Sequence, residues 1–143
     1  MADKVFPATL SKQERLNSRK LIDMLFGGGK SHSRTAFPIR IIYMVRARED
    51  GKAPIQVLTS VPKKHFKHAV DRNRVKRQLR EAYRRHKQTV HQGLPETSQM
   101  LIAFVWLSDR HYTSPEIEER VDNLLQQIAE KLRAESEEWK VES

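Results

Sequence analysis

The chain has 143 residues, no Cys, and 27 Lys and Arg against 18 Asp and Glu, for a net charge of +9. That length suits one domain with a core that needs no staples, and the lack of Cys excludes disulfides and thiolate metal sites and suits a reducing cytoplasm. The longest apolar run, Met100 to Leu107, is far shorter than the ~20 residues of a membrane-spanning helix, and the opening Met-Ala-Asp-Lys-Val-Phe-Pro has no apolar core for a signal peptide. Ser11 and Glu14 have capping-box spacing and predict a helix start. Leu16, Leu21, Ile22, Leu25 and Phe26 supply its apolar stripe, and Gly27-Gly28-Gly29 ends it. Phe37 to Val45 is rich in β-branched and aromatic residues and predicts a strand. Arg48 to Lys52 is a turn, and Ile55 to Val61 is a second strand, so the two form a hairpin in this reading. Pro62 ends the second strand by removing a ladder donor.

From about Lys67 to Lys87 the pattern turns helical, with Val75, Leu79, Ala82 and Tyr83 on one buried face. Gln92 to Pro95 is a loop. Met100 to Leu107 is continuously apolar, as a strand covered on both faces requires. Ser114-Pro115-Glu116 opens a last helix whose stripe is Ile117, Val121, Leu124, Leu125, Ile128 and Leu132. From Glu135 the tail is acidic and is expected to fray. The order helix, strand, strand, helix, strand, helix predicts an α+β fold, a small two-layer sandwich of helices on a sheet. The whole chain, 1–143, reads as one domain with a core of roughly residues 9–134, a short N-terminal arm and an acidic tail.

The charge is not spread evenly. Between Lys63 and Lys87 lie eleven bases and two acids, Asp71 and Glu81, so this window carries the whole surplus; the remainder balances sixteen bases against sixteen acids. Asn73, Lys76, Arg77, Arg80, Arg84 and Lys87 succeed one another at helical spacing and line one ridge opposite the buried stripe. Like charges at that spacing destabilise an isolated helix by ~0.2–0.5 kcal/mol per pair. A solvated face intersperses acids, as the last helix does with Glu116, Glu118, Glu119 and Asp122. A polyanion turns the repulsion into binding through counterion release. The short apolar side of the helix, with Ala82 and His86, suits packing on a sheet better than a membrane surface. Nucleic acid is the predicted partner, and Arg can fork two hydrogen bonds onto phosphate or a base edge.

Within that window, Ser60-Val-Pro-Lys-Lys64, Ala69-Val-Asp-Arg-Asn-Arg-Val-Lys-Arg77 and Leu79-Arg-Glu-Ala-Tyr-Arg84 resemble the protein subunit of bacterial ribonuclease P. The resemblance extends over roughly Leu10 to Leu132 and includes the N-terminal helix ending at Phe26. It implies a ribosomal protein S5 domain 2-like fold with a left-handed strand-helix-strand crossover. It implies a cytoplasmic ribonucleoprotein that removes the 5′ leader of precursor tRNA. The chemistry would be Mg²⁺-dependent hydrolysis by the RNA subunit, which also holds the ion. The partners implied are that catalytic RNA and precursor tRNA, with no membrane and no protein partner. Carried onto this chain, the residues that bind the catalytic RNA are Lys63, Lys64, Arg72, Asn73, Arg74, Lys76, Arg77 and Arg80. The leader face would use Phe26, Phe37 and Arg40; Ile22 stands where the family has a further aromatic. Pro62 and His65-Phe-Lys-His68 replace a Ser and a Gly of the family pattern, so the turn into the basic helix is expected to differ. The alternative reading is a structural, ribosomal-type RNA binder; a DNA-binding module lacks the paired helices of a turn motif.

No residue set on the chain assembles a catalytic centre of its own. His65 and His68 lack the Cys or acids that complete a zinc site, and Asp71 reads as a helix N-cap. Gly27 to Ser31 follows a helix rather than joining a strand to one, which excludes a Walker loop. His111 and Asp109 read as loop residues.

Overall fold

The computed structural model describes the backbone of residues 10–142 and the side chains of residues 10–135. The predicted N-terminal arm lies outside the described residues. Ser11 N–H and Oγ–H both donate to Glu14 Oε1, at 3.3 and 3.0 Å. The capping pair therefore forms, but it closes only a 3-10 turn at Lys12–Glu14. The chain then straightens, because Leu16 N–H donates to Val57 O at 2.9 Å and Arg15 bridges Val57 in parallel. A sheet edge here outcompetes the local helix signal. Helix α1, Arg19–Gly27, starts after Ser18, whose Oγ accepts from Leu21 N–H at 3.4 Å. It stops where predicted, at Gly28, whose φ of 92° is the left-handed cap that glycine adopts without strain.

Two strands follow where the sequence predicted one. β1 is His32–Ala36 and β2 is Ile39–Ala47, joined through Phe37-Pro38, so Phe37 lies in a turn rather than at a strand start. β3 is Ile55–Ser60 and β4 is Ser98–Trp106. The sheet order is β1-β2-β4-β3, with β1–β2 and β2–β4 antiparallel and β3–β4 parallel. The expected β2–β3 hairpin is thus absent: β4 inserts between them, and Ala103 pairs with Ile42 on one side and Leu58 on the other. β2 and β4 both have neighbours on both edges, but β4 is buried along nearly its whole length between the two cores, which accounts for its unbroken apolar run.

Helices α2, Ala69–His86, and α4, Ser114–Glu142, pack on one face of the sheet, and the short α3, Gln88–His91, continues α2 after Lys87. This main core sets Ile41, Tyr43, Val57, Ile102, Phe104 and Trp106 against Val75, Leu79 and Tyr83 of α2 and the Ile117–Leu132 stripe of α4. The cap of α4 is Thr113, one residue before the predicted start. Its N–H donates to Glu116 Oε1 at 3.1 Å and its Oγ1 accepts from Glu116 N–H at 3.3 Å. The backbone of α4 stays helical to Glu142, past the point where fraying was expected. On the other face a smaller core gathers Ile42, Met44, Leu101 and Ala103 under Leu25 of α1, with Leu16 beside them. The β3–α2–β4 unit joins two parallel, directly paired strands, so α2 spans the crossover and is fixed to the sheet along its inner face.

Candidate nucleic-acid interface

The lead-in to α2 is built by side chains that the sequence did not mark as structural. Arg72 Nη1 donates to both Phe66 O and Lys67 O, each at 2.9 Å, and so staples the loop before the helix. His65 Nδ1 lies 2.7 Å from Asp109 Oδ1, and His111 Nε2 lies 3.0 Å from Asp71 Oδ1. The Phe66 and His111 rings stack with centroids 4.5 Å apart. These pairs lock the loop after β3 to the loop after β4 without the glycine of the family pattern. The N-cap of α2 is His68, not Asp71. Asp71 sits in the first turn, where a carboxylate meets the positive end of the helix dipole as well as His111.

The inner stripe of α2 is as predicted, with Gln78 added. Gln78 Nε2 donates to Tyr112 O at 3.2 Å and Ser114 Oγ at 3.1 Å, which pins the start of α4 to the helix. Outward, Asn73, Arg74 and Arg77 are exposed, Lys76 and Arg80 are half-buried, and Lys63 and Lys64 stand exposed on the loop that follows β3. Arg80 Nη1 reaches back to Thr59 Oγ1 at 3.4 Å. Burial first, then the neighbouring charges of Arg15 and Arg77, push the Arg80 pKa below the usual arginine value. Arg15 is a residue that sequence reading missed. The capping spacing at Ser11 and Glu14 puts it on a helix, and only the Val57 bridge brings it against the basic ridge, where Arg15, Lys76 and Arg80 line one groove with Leu58 and Thr59.

Two members of the predicted ridge or motif do other things. Lys87 Nζ pairs with Glu14 Oε2 at 3.0 Å, so the C-terminal end of the ridge is tied to the N-terminal segment. Burial pushes the Glu14 carboxyl up, but the Lys87 ammonium and the Ser11 hydrogen bonds outweigh it and hold the pKa below the usual glutamate value. Arg72, as described, faces the loop. The exposed ridge is therefore Asn73, Arg74 and Arg77, with Lys76 and Arg80 on its flank.

The opposite face of the sheet holds a second candidate surface. α1 covers only part of it. Leu21 and Met24 border a depression with Arg46, Gln56 and Gln99 at one end of the strands. With 100° per residue, Phe26 flanks buried Leu25 on the side away from Met24 and is 45% exposed. Arg40 alternates onto this same face with Ile42 and Met44 and is exposed; Leu58, Ser60 and Val105 are partly exposed. Phe37 is 58% exposed, so neither predicted aromatic is a core residue. Phe37 does not share the α1 side as a strand residue: it sits at the β1–β2 turn, and its carbonyl accepts from Arg120 Nε of α4 at 3.3 Å. Among the described residues, no three His, Asp or Glu side chains converge on a point that would hold a metal ion.

A family model described as Ribonuclease P matches residues 10–129. The chain is 44% identical over 106 residues to the ribonuclease P protein component of Porphyromonas gingivalis, with 72% of this chain and 75% of that protein covered. Among solved structures it resembles a Staphylococcus aureus RNase P protein mutant with defective mRNA degradation activity, at TM-score 0.61 and 21% identity, over 83% of this chain and 90% of that one. It also resembles the RNase P protein from Thermotoga maritima, at TM-score 0.55 and 21% identity, over 80% of this chain and 96% of that one. At that identity the two structures speak for the fold alone.

Proposed function

Because this chain belongs to the ribonuclease P protein family, as the protein subunit of an endoribonuclease and a partner of its RNA, we propose a division of labour between its two surfaces. The α2 ridge binds the catalytic RNA. Asn73, Arg74 and Arg77 contact it directly, Lys63, Lys64, Lys76 and Arg80 add charge beside them, and Arg72 shapes the loop that presents them. The open part of the opposite sheet face, with Phe26 and Arg40, receives the unpaired 5′ leader of precursor tRNA, and Phe37 borders it at the sheet end. Aromatic and guanidinium planes stack on unpaired bases, each worth ~1–3 kcal/mol. Hydrolysis of the leader then takes place on the RNA, which holds the Mg²⁺. In this reading the role of the chain is to position RNA and substrate. The compartment is the cytoplasm, where precursor tRNA is processed; no described helix is long and apolar enough to cross a membrane.

The observation that carries this reading is the exposed Asn73-Arg74-Arg77 stripe on a helix whose inner face is rigidly fixed to the sheet. The test is reconstitution. Purified chain plus the cognate RNA is expected to cleave precursor tRNA at low Mg²⁺, where either component alone does poorly. RNA binding without stimulation of cleavage would instead favour a purely structural RNA binder.

A further inference from the structure

Val70 occupies the first turn of α2 and is 75% exposed, more than any other large apolar side chain among the described residues. It belongs to neither core cluster. Alanine is a better helix former than β-branched valine, so helix propensity does not explain the residue either. Its position is informative. Residues 70, 73, 74 and 77 share one helical stripe, so Val70 stands one turn before Asn73 and Arg74 and two before Arg77. With Gln78 and Ser114 these residues line a shallow depression of about 620 Å³, whose acid, Glu81, lies a turn beyond Arg77.

A phosphate held by Arg74 or Arg77 brings its own ribose and base alongside the same stripe. Ribose C–H edges and base faces are apolar, and the minor groove of an RNA helix is wide and shallow enough to admit a short side chain. A β-branched side chain is stiff at χ1 and loses little freedom on contact. From this geometry we infer that Val70 is an apolar anchor of the interface, packing against a ribose or base face of the ribonuclease P RNA beside the phosphates held by Arg74 and Arg77. The inference rests on the proposed role of the α2 ridge and adds to it a contact that is independent of salt.

The test measures affinity for the cognate RNA over a salt series, using the wild-type chain, Val70→Ala, Val70→Thr and Arg74→Ala. Val70→Ala removes the equivalent of two carbons of buried apolar surface, and the expected loss is about tenfold in affinity at every salt concentration. The salt slope is expected to stay unchanged, because no counterion is released by an apolar contact. Val70→Thr keeps the shape, changes one methyl to a hydroxyl, and is expected to fall between. Arg74→Ala is expected to lower the slope by about one. Thermal melting controls for folding, and Val70→Ala is expected to melt no lower than wild type. Wild-type affinity for Val70→Ala beside a reduced slope for Arg74→Ala would overturn the anchor and leave the ridge standing. A reduced slope for Val70→Ala would also overturn it, since the residue would then act through the charged contacts. Unchanged binding in all variants would overturn the reading of the ridge itself.

Discussion

Arg72 Nη1 donates to two backbone carbonyls, while Arg74, two residues on, is exposed on the outer stripe of α2. The two arginines of one motif should separate in experiment. Arg72→Ala is expected to cost ~1–3 kcal/mol of folding stability, read from urea denaturation, because two carbonyls of the lead-in loop lose their donor. Arg74→Ala and Arg77→Ala are each expected to leave stability within about 0.5 kcal/mol of wild type and to lower the salt slope of RNA binding by about one. The motif was legible as a string, but the role of each member was not, since nothing in the order Arg-Asn-Arg says which side chain turns back onto its own loop. Lys87 gives the same lesson. Spacing placed it on the ridge, and its partner Glu14 lies 73 residues away. Glu14 is held below its usual pKa, so the stability it contributes is present above the unfolded glutamate value of 4.5 and is lost as pH falls through the lower folded value. Urea midpoints taken from neutral pH down to about pH 3 are expected to fall less steeply below 4.5 for Glu14→Gln than for wild type.

At the scale of elements, α1 is the most exposed to perturbation. Nine residues are too few for a helix to stand alone in water, and Leu25, fully buried, is the side chain that fixes α1 to the sheet. Leu25→Ala is expected to cost ~2–4 kcal/mol by denaturation. It is also expected to weaken binding of precursor tRNA relative to leaderless tRNA, because Phe26 and its helix lose their seat. The same substitution should leave the salt slope of the α2 ridge unchanged. Elements with a long apolar period were read correctly from the sequence: α2, β4 and α4 carry their own stripes or runs. β1 was missed because His-Ser-Arg-Thr-Ala is a polar edge strand with no apolar alternation to mark it. The helix expected from Ser11 was displaced to Ser18 because pairing with Val57 is a tertiary event, invisible to local capping rules. The β2–β3 hairpin failed for the same reason: the Asp50-Gly51 turn marks a reversal, and no local signal says that a later strand will take the edge it exposes.

Across the whole molecule, the two proposed surfaces lie on opposite sides of one sheet, the α2 ridge on one side and the Phe26–Arg40 face on the other. Their substitutions should therefore be nearly additive, as for sites with no shared partner. Phe26→Ala is expected to reduce the preference for precursor over leaderless tRNA by about 5- to 150-fold, the range of one lost stacking contact. Arg77→Ala should weaken RNA binding with that preference intact, and the double variant should show both losses in full. The concentration of +9 between Lys63 and Lys87 marked only the first surface; the second lies outside that window and was suggested by resemblance rather than by composition. The place of β4 in the sheet has one more consequence, for the order in which the protein comes into being. The strand that separates β2 from β3 begins at Ser98, so a chain emerging from the ribosome carries the complete basic helix before its central strand has been made. Until Trp106 is out, β2 and β3 each present an open edge and α2 has only part of its seat, so the sheet can close only after the basic helix is complete. An RNA already waiting nearby would meet the Arg74 helix while it is still half-supported, and its phosphates would stabilise the charges that otherwise repel one another during that interval.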